Sequence, residues 1–216
     1  IDRGVAVCAD TLDAAWKGRK ALNAQWDQGV RPDLNTENVE QYLTGLLDEP
    51  GISARNDGDV TAALEQADKR LDVEYFLPHL SHANMEPMNC TVDVREDGCD
   101  IWSPTQAQTR ALDAVKEITG LETDQIQLHT PYLGCGLGRR AQTDYDQEAT
   151  QISKAVGRPV KLIWTREEDM QYGLYRPANS HRIAGALDAQ GRVMAWSHKV
   201  AAGSFFTFPN DPDIDV

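Results

Sequence analysis

The stretch Gly134-Cys135-Gly136-Leu137-Gly138-Arg139-Arg140 decides how the rest of the chain is interpreted. Its three glycines at alternate positions let the backbone come close to a ligand and direct successive N–H groups at an anion. The arginine pair that follows favours recognition of a phosphate by planar, bidentate donors. A tight strand-to-helix turn with solvated arginines explains the same residues, because short glycine-rich loops are common.

The loop does not match the familiar nucleotide-binding templates. A dinucleotide-binding fingerprint requires a further glycine where Arg139 stands. A Walker loop requires Gly-Lys followed by Ser or Thr, where this chain has Arg139-Arg140-Ala141. The sequence therefore disfavours an ordinary Rossmann or P-loop protein.

Helices and strands are predicted on both sides of the loop. A strand with Ile126 and Leu128 on one side comes before it, and a helix from about Asp144 to Gly157 comes after it. Residues 160–164 are predicted to form a mostly buried strand.

Capping boxes predict further helices, which begin at Thr105 and Thr165. The first of these is expected to run to Gly120. Turn-forming residues predict β-hairpins around residues 97–98 and 188–191.

The N-terminal part of the chain predicts a small α/β unit and further helices. Residues 5–9 are expected to form a short buried strand, and Thr11 is expected to cap the helix that follows. Apolar patterns predict helices at residues 39–47 and 62–67 and an extended stretch at residues 71–76. Alternating elements without internal repeats indicate mixed α/β or α+β layers.

Composition excludes several classes of protein. The 216 residues include 21 Lys+Arg against 34 Asp+Glu, which gives a net charge of −13 and argues against binding to nucleic acid or anionic lipid through bulk charge. No apolar run approaches the roughly 20 residues that cross a bilayer, so no transmembrane segment is expected. The four cysteines show no zinc-finger or iron–sulfur spacing, and free thiols are favoured.

Other side chains suggest chemistry less strongly. Gln106 falls at the predicted start of a helix, where the dipole and the amide favour an anionic ligand, although a polar helix start also explains it. His79, His82 and Glu86 lie close in sequence, but their spacing matches no strong metal motif, and satisfied histidines are the default. Cys135 has the surroundings of a reactive thiol, and small-residue packing near a ligand is the alternative.

Four segments in a fixed order identify a protein family far more specifically than the loop alone. They are residues 82–90, 102–108, 134–140 and 164–170, and the last leads to Tyr175-Arg176-Pro177. With them the chain resembles the molybdenum-cofactor subunit of the xanthine dehydrogenase and aldehyde oxidase superfamily, in its isoquinoline 1-oxidoreductase beta-subunit branch. The resemblance implies an α+β fold. Residues 1–30 would be the end of an α/β hammerhead domain, residues 31–69 a connecting segment, and residues 70–216 the first part of the molybdenum-cofactor-binding domain.

The resemblance implies oxidation of N-heterocycles next to nitrogen, or of aldehydes, with water as the oxygen source. The molybdenum would be held by the dithiolene of molybdopterin, commonly the cytosine dinucleotide in bacterial members, so no side chain is expected to ligate the metal. Iron–sulfur clusters are expected on a small 2Fe–2S partner subunit, and a cytochrome is a typical electron acceptor. Relatives in this branch are often exported to the periplasm, and the sequence leaves the compartment open.

The resemblance also assigns site residues. Gln106 matches the glutamine that hydrogen-bonds an oxygen ligand of molybdenum, and the loop backbone matches the segment that lies against the metal and the pterin. The predicted cofactor-binding residues are Gln106, Gly134, Cys135, Gly136, Leu137, Gly138, Arg139 and Arg140.

The loop departs from the family pattern at several positions. The usual family sequence is Gly-Gly-Gly-Phe-Gly. This chain has Cys135 in place of the middle glycine and Leu137 in place of the phenylalanine. Ala141 stands where purine-oxidising members have a glutamate, which argues against xanthine as the substrate.

The family's general-base glutamate lies later in the subunit than residue 216, so the resemblance predicts no catalytic base in this chain. We therefore expect the chain to be a piece of a longer protein that is inactive by itself. Cys135 and Leu137 leave open a non-catalytic scaffold that kept the fold and lost the cofactor. An unrelated nucleotide-binding enzyme is a second alternative, and it would require the chain alone to bind nucleotide.

Overall fold

The computed structural model describes residues 1, 4–27, 29 and 31–203. In chain order the helices are α1 (Leu12–Ala21), α2 (Thr36–Leu46), α3 (Val60–Glu65), α4 (Gln108–Thr119), α5 (Asp144–Val156) and α6 (Arg166–Gln171). The strands are β1 (Lys69–Leu77), β2 (Asn89–Val94), β3 (Cys99–Trp102), β4 (Ile126–His129), β5 (Val160–Ile163), β6 (Asn179–Leu187) and β7 (Val193–Ala202).

These elements form two compact units, each assembled from separate stretches of sequence. The first unit contains Ile1–Asp27 and Ser81–Leu174, and the second falls within Gln28–Leu80 and Tyr175–Val216. The units reflect spatial contacts, whereas the boundaries near residues 30 and 70 are those that the resemblance predicts for the family's domains. Those boundaries stay a prediction.

The first unit is built on a four-stranded mixed sheet with the order β4-β3-β2-β5. Strand β3 pairs in parallel with β4, and the other pairs are antiparallel. Helices α4 and α5 pack against this sheet and against each other. Their apolar faces and the sheet enclose the main core, whose fully or nearly fully buried members are Met88, Cys90, Val92, Cys99, Ile101, Val115, Leu121, Ile126, Tyr145, Ala149 and Trp164.

The second unit is a three-stranded antiparallel sheet with the order β1-β6-β7. Helix α2 covers part of it, and Leu43 and Leu47 are buried with Ala178 and Ala201. Helix α3 also packs on β6 and β7.

The structure confirms the predicted α+β class and most of the predicted elements. The hairpin at residues 97–98 joins β2 to β3, and that at residues 188–191 joins β6 to β7. Gly120 and Gly157 end α4 and α5 in the left-handed conformation, as their positions predicted. All four cysteines are free thiols. Within the described ranges, no helix combines the length and the apolar character needed to cross a bilayer.

The strand predicted at residues 5–9 is wrong. These residues form no strand, and the side chain of Val5 is 61% exposed. An apolar run becomes a strand only when another strand pairs with it. In the described part of the chain none does.

The capping box predicted at Thr105 is also wrong. Helix α4 follows Ala107 and has no side-chain cap. The Thr105 hydroxyl instead accepts a hydrogen bond from the backbone N–H of Ala107 and donates one to the carbonyl oxygen of Arg140, at 3.0 and 3.1 Å. Gln106 therefore precedes the helix, and it does not lie in the first helical turn as predicted.

Candidate functional site

The glycine-rich loop lies between β4 and α5 and has an unusual backbone. Cys135 (φ 85°), Leu137 (φ 51°) and Gly138 (φ 92°) all have positive φ values. For the two residues with side chains this conformation costs on the order of 1–3 kcal/mol each. Such a shape persists only when surrounding groups hold it, so the contacts of the loop decide its role.

Asn84 holds the middle of the loop through two hydrogen bonds. This side chain is 1% exposed, and its Nδ2 donates to the carbonyl oxygens of Cys135 and Gly136, at 2.9 and 3.1 Å. Two loop carbonyl groups are thereby turned towards the interior. The loop surface that carries Leu137, which is 56% exposed, is the open side of the loop.

Glu86 and Arg140 hold the two ends of the loop. The Glu86 Oε2 accepts from the backbone N–H of Gly134 at 2.8 Å and from Arg140 Nη2 at 3.0 Å. Arg140 also donates to the carbonyl oxygens of Cys135 (3.0 Å) and Glu86 (2.8 Å). The charged pair therefore joins residue 134 to residue 140.

Arg139 and Arg140 are interior residues, with exposed fractions of 2% and 0%. Both Nη atoms of Arg139 donate to the carboxylate of Asp144, at 2.8 and 2.7 Å, and its guanidinium lies 5.4 Å from the centre of the Trp164 ring. Both sequence-based interpretations assumed accessible guanidinium groups, and the structure contradicts that assumption. In this structure the Arg140 side chain holds the loop, whereas that of Arg139 pairs with Asp144 at the start of α5. The cofactor role of both stays a prediction.

Gln106 lies directly against the loop. Its backbone N–H donates to the carbonyl oxygen of Arg140 at 2.9 Å, and its Oε1 accepts from the N–H of Gly138 at 3.1 Å. A Cβ atom on Gly136 would come within 2.4 Å of this Oε1, so the Gln106 amide would have to move to make room for it. The structure thus brings Gln106 and the loop together, as the resemblance predicts.

Three hydrogen-bond donors at the loop have no acceptor among the described residues. The Nε2 of Gln106 donates to no acceptor among the described residues. The same holds for the backbone N–H groups of Cys135 and Gly136, and Gly136 is buried. A buried N–H group without an acceptor is rare in folded proteins, and an oxygen-bearing ligand would satisfy it.

A buried carboxyl group, that of Asp146, contacts Ser103, which lies three residues before Gln106 in sequence. Asp146 is 0% exposed, and its Oδ1 accepts from the Ser103 hydroxyl at 2.6 Å. Burial raises the pKa of Asp146 to about 7, against the opposing effects of Ser103, the Cys90 thiol and the charge of Arg140. Its Oδ2 has no hydrogen-bond partner in the described structure.

Part of this site was not predicted from the sequence. No role was expected for Asn84 or Asp146, and Glu86 was considered only beside His79 and His82. The segment of residues 82–90 carried the one usable signal, because it recurs in the resembled family. Among the described residues, no group of three or more His, Cys, Asp or Glu side chains is placed to hold a metal ion.

Comparison with known proteins extends these observations. Residues 47–207 match the sequence model of the molybdopterin cofactor-binding domain. The membrane-bound aldehyde dehydrogenase (pyrroloquinoline-quinone) of Gluconacetobacter polyoxogenes is 30% identical over 92% of this chain, and the isoquinoline 1-oxidoreductase subunit beta of Brevundimonas diminuta is 28% identical over 95%. The chain spans only 26% and 28% of these two relatives.

A solved structure supports the fold. The aldehyde oxidoreductase of Desulfovibrio gigas superposes with a TM-score of 0.58 at 22% identity, over 66% of this chain and 16% of that one. The α+β fold of this chain is accordingly that of a molybdenum-cofactor-binding domain. The matched range includes the loop, Gln106, Asn84 and Glu86. The chain therefore belongs to the molybdopterin cofactor-binding family of the xanthine dehydrogenase and aldehyde oxidase superfamily.

Proposed function

We propose that the chain supplies part of the cofactor site of a molybdenum hydroxylase that oxidises aldehydes or N-heterocycles, with water as the source of oxygen. The observation that carries this proposal is the set of donors at the loop without an acceptor in the described structure, namely Gln106 Nε2 and the N–H groups of Cys135 and Gly136. Their chemistry fits a cofactor rich in oxygen ligands. Family membership supports the same conclusion.

The residues of the chain would act by binding and orienting. Gln106 would donate from Nε2 to an oxygen atom on the metal, while its Oε1 stays fixed by Gly138. The backbone N–H groups of Cys135 and Gly136 would hold further oxygen atoms of the cofactor, where fixed donors also stabilise charge that develops during reaction. When bound, the molybdenum cofactor supplies oxygen transfer and accepts electrons.

Leu137 would form an apolar wall next to the substrate. Its side chain is 56% exposed on the open side of the loop, where the resembled family has an aromatic residue. Two relatives have names that give two substrate classes, an aldehyde and isoquinoline. We propose both classes for the complete enzyme.

The remaining parts of the proposal concern the whole protein. The cofactor would be the cytosine dinucleotide form, and a small 2Fe–2S subunit would carry electrons to an acceptor such as a cytochrome. The word "subunit" in the name of the isoquinoline-oxidising relative supports an assembly of this kind. The catalytic base would come from a segment outside residues 1–216.

The first experiment measures the cofactor. The complete subunit is purified with its iron–sulfur partner from a host that makes the cofactor, and molybdenum and released nucleotide are quantified. We expect near-stoichiometric molybdenum together with cytidine monophosphate. Pyrroloquinoline quinone is measured in the same preparation, because one relative carries it in its name. Absence of both molybdenum and nucleotide would favour the scaffold alternative.

The second experiment changes Gln106. We expect Gln106→Ala to lower kcat by about 10²-fold, the usual effect of removing one fixed donor from a site where charge develops. Gln127→Ala is the matched control, because Gln127 is an exposed residue of β4 with no side-chain hydrogen bond in the described structure. Unchanged turnover and unchanged molybdenum content in Gln106→Ala would contradict the role given to this residue.

A further inference from the structure

Glu86 contacts both ends of the glycine-rich loop at the same time. Its backbone N–H donates to the carbonyl oxygen of Gly134 at 3.1 Å, and its Oε2 accepts from the N–H of Gly134 at 2.8 Å. The same Oε2 accepts from Arg140 Nη2 at 3.0 Å. The second carboxylate oxygen is also fixed, because Oε1 accepts from Asn89 Nδ2 at 2.9 Å. One carboxylate thus sets the distance between residues 134 and 140.

Glu86 forms an ion pair with Arg140, a buried cation. The Arg140 side chain is fully buried, whereas that of Glu86 is 38% exposed, and Glu86 is the only ion-pair partner of Arg140 in the described structure. The Nη1 of Arg140 already lacks an acceptor there. Removing the negative charge would leave a buried guanidinium with carbonyl partners alone, which is a strongly unfavourable situation.

The loop stores strain that this contact must balance. Cys135 and Leu137 both have positive φ, which side chains disfavour. Contact at Gly134 is also close, because a Cβ atom there would come within 2.6 Å of the Glu86 Cβ. If the ends of the loop were released, the middle would relax towards ordinary backbone angles. The unused donors of Cys135 and Gly136 would then point elsewhere.

We propose that Glu86 is a positioning residue, which acts through Gly134 and Arg140 to hold the loop donors where they meet the cofactor. The part of this inference that concerns the cofactor rests on the function proposed above. The part that concerns the loop does not, because it follows from contacts within the chain. The two parts are therefore tested by separate measurements.

The first test follows the Cys135 thiol in the cofactor-free complete subunit. The rate at which a maleimide modifies this thiol is measured by mass spectrometry on the peptide that contains it, with exposed Cys8 as the internal reference. We expect Glu86→Gln to raise the rate at Cys135 by about tenfold, since the loop opens more often when its charged contact is lost. Glu167→Gln is the matched control, because Glu167 is exposed and has no partner in the described structure.

The second test uses the loaded enzyme. A residue that serves stability alone would change the amount of folded enzyme and leave kcat per bound molybdenum unchanged. We expect Glu86→Gln to lower kcat per bound molybdenum by about tenfold with a smaller change in KM, because the donors act on the reacting centre. An unchanged kcat per bound molybdenum would overturn the positioning role.

The outcomes separate the two parts of the proposal. Labelling of Cys135 at the wild-type rate in Glu86→Gln overturns the inference whether or not the subunit holds molybdenum. Absence of molybdenum from the unsubstituted subunit overturns the proposed function, and the labelling result then decides the inference about the loop. If Glu86→Gln does not fold, Asn89→Ala removes the donor to Oε1 together with the hydrogen bond of the same Nδ2 to the carbonyl oxygen of Pro87. We expect this variant to raise the rate of Cys135 labelling about threefold. No rise in that variant overturns the inference.

Discussion

At the scale of single residues, Gly136 is a position where one added carbon atom would displace the Gln106 amide. A Cβ atom there would lie 2.4 Å from Gln106 Oε1, 2.5 Å from Cδ and 2.9 Å from Nε2, so the whole amide would have to move. Because that amide belongs to the proposed binding surface, substitution of Gly136 should affect cofactor binding more than folding.

We therefore expect Gly136→Ala to lower the molybdenum content of the complete subunit at least about fivefold, which corresponds to the roughly 1 kcal/mol or more that overpacking costs. Gly185→Ala is the control, because its Cβ would make an ordinary contact at 3.7 Å with the Trp196 ring. Molybdenum content is measured beside the melting temperature. Full metal content in Gly136→Ala would mean that the Gln106 amide is not part of the binding surface.

Asp146 gives a prediction about pH. Burial raises its pKa to about 7, above its ordinary value of 3.8, so the folded chain holds a proton between these values that the unfolded chain releases. This group therefore stabilises the fold fully below the unfolded pKa, and its contribution is lost as the pH rises through about 7. Neighbouring groups do not reverse the sign. Burial raises the pKa values of Tyr145 and Cys90, so both stay neutral in this range, and the charge of Asp144 raises the pKa of Asp146 further.

We expect Asp146→Asn to remove that part of the pH dependence, because asparagine keeps an acceptor for Ser103 and cannot ionise. Urea unfolding is measured at about pH 5 and about pH 8, on either side of the folded pKa. The unsubstituted chain should lose more stability than the variant over this interval. Asp113→Asn, on the exposed face of α4, should behave like the unsubstituted chain. Parallel pH profiles for all three chains would contradict the assignment.

At the scale of elements, helix α2 carries a glycine that its structure does not need. Gly45 is exposed in the last turn of this helix, and a Cβ atom there would meet nothing within 4 Å. Alanine loses less backbone entropy on folding than glycine does. We expect Gly45→Ala to raise the free energy of unfolding by about 0.5–1 kcal/mol.

The control for Gly45 is a glycine whose conformation is required. Gly120 ends α4 with a φ of 78°, so Gly120→Ala should lower the free energy of unfolding by about 1 kcal/mol. Both variants are measured by urea unfolding, with amide hydrogen exchange to locate the effect in α2 or α4. A loss of stability in Gly45→Ala would show that the helix needs flexibility at this position.

The elements also show what sequence patterns can predict. Caps, C-terminal glycines and two-residue turns depend on neighbouring residues, and the predictions at Gly120, Gly157 and Thr165 are confirmed for that reason. Residues 5–9 have strand character, but pairing depends on distant residues. The Thr105 hydroxyl could cap a helix, but it donates a hydrogen bond to the carbonyl oxygen of Arg140, which is 35 positions away in sequence. Such long-range contacts cannot be derived from local pattern.

The candidate site shows the same difference between local sequence pattern and long-range contacts. The loop and Gln106 were identified from motif order, which local sequence records. The ion pairs that bury Arg139 and Arg140 depend on Asp144 and Glu86, and the second of these lies 54 positions away. Arginines after a glycine-rich loop are commonly accessible, so their burial became evident only from the packing.

At the scale of the whole molecule, charge constrains how an anionic cofactor can be held. The chain has a net charge of −13, so its long-range field repels phosphate. The two arginines beside the loop do not offset this repulsion, because Asp144 and Glu86 neutralise them inside the fold. At the proposed site, binding would then depend on short-range donors such as Gln106 Nε2 and the loop N–H groups.

We therefore expect that a high salt concentration does not release the cofactor from the loaded subunit. Raising the salt concentration from about 0.05 M to about 1 M shortens the screening length to roughly 3 Å, which weakens the long-range repulsion and leaves hydrogen bonds at contact distance. We expect the molybdenum and nucleotide contents of the loaded subunit to stay equal or to rise after dialysis at the higher salt concentration. The melting temperature at each salt concentration checks that the fold is intact. Release of the cofactor from folded protein at high salt would instead indicate a site based on accessible positive charge, and the burial of Arg139 and Arg140 would then not describe the loaded state.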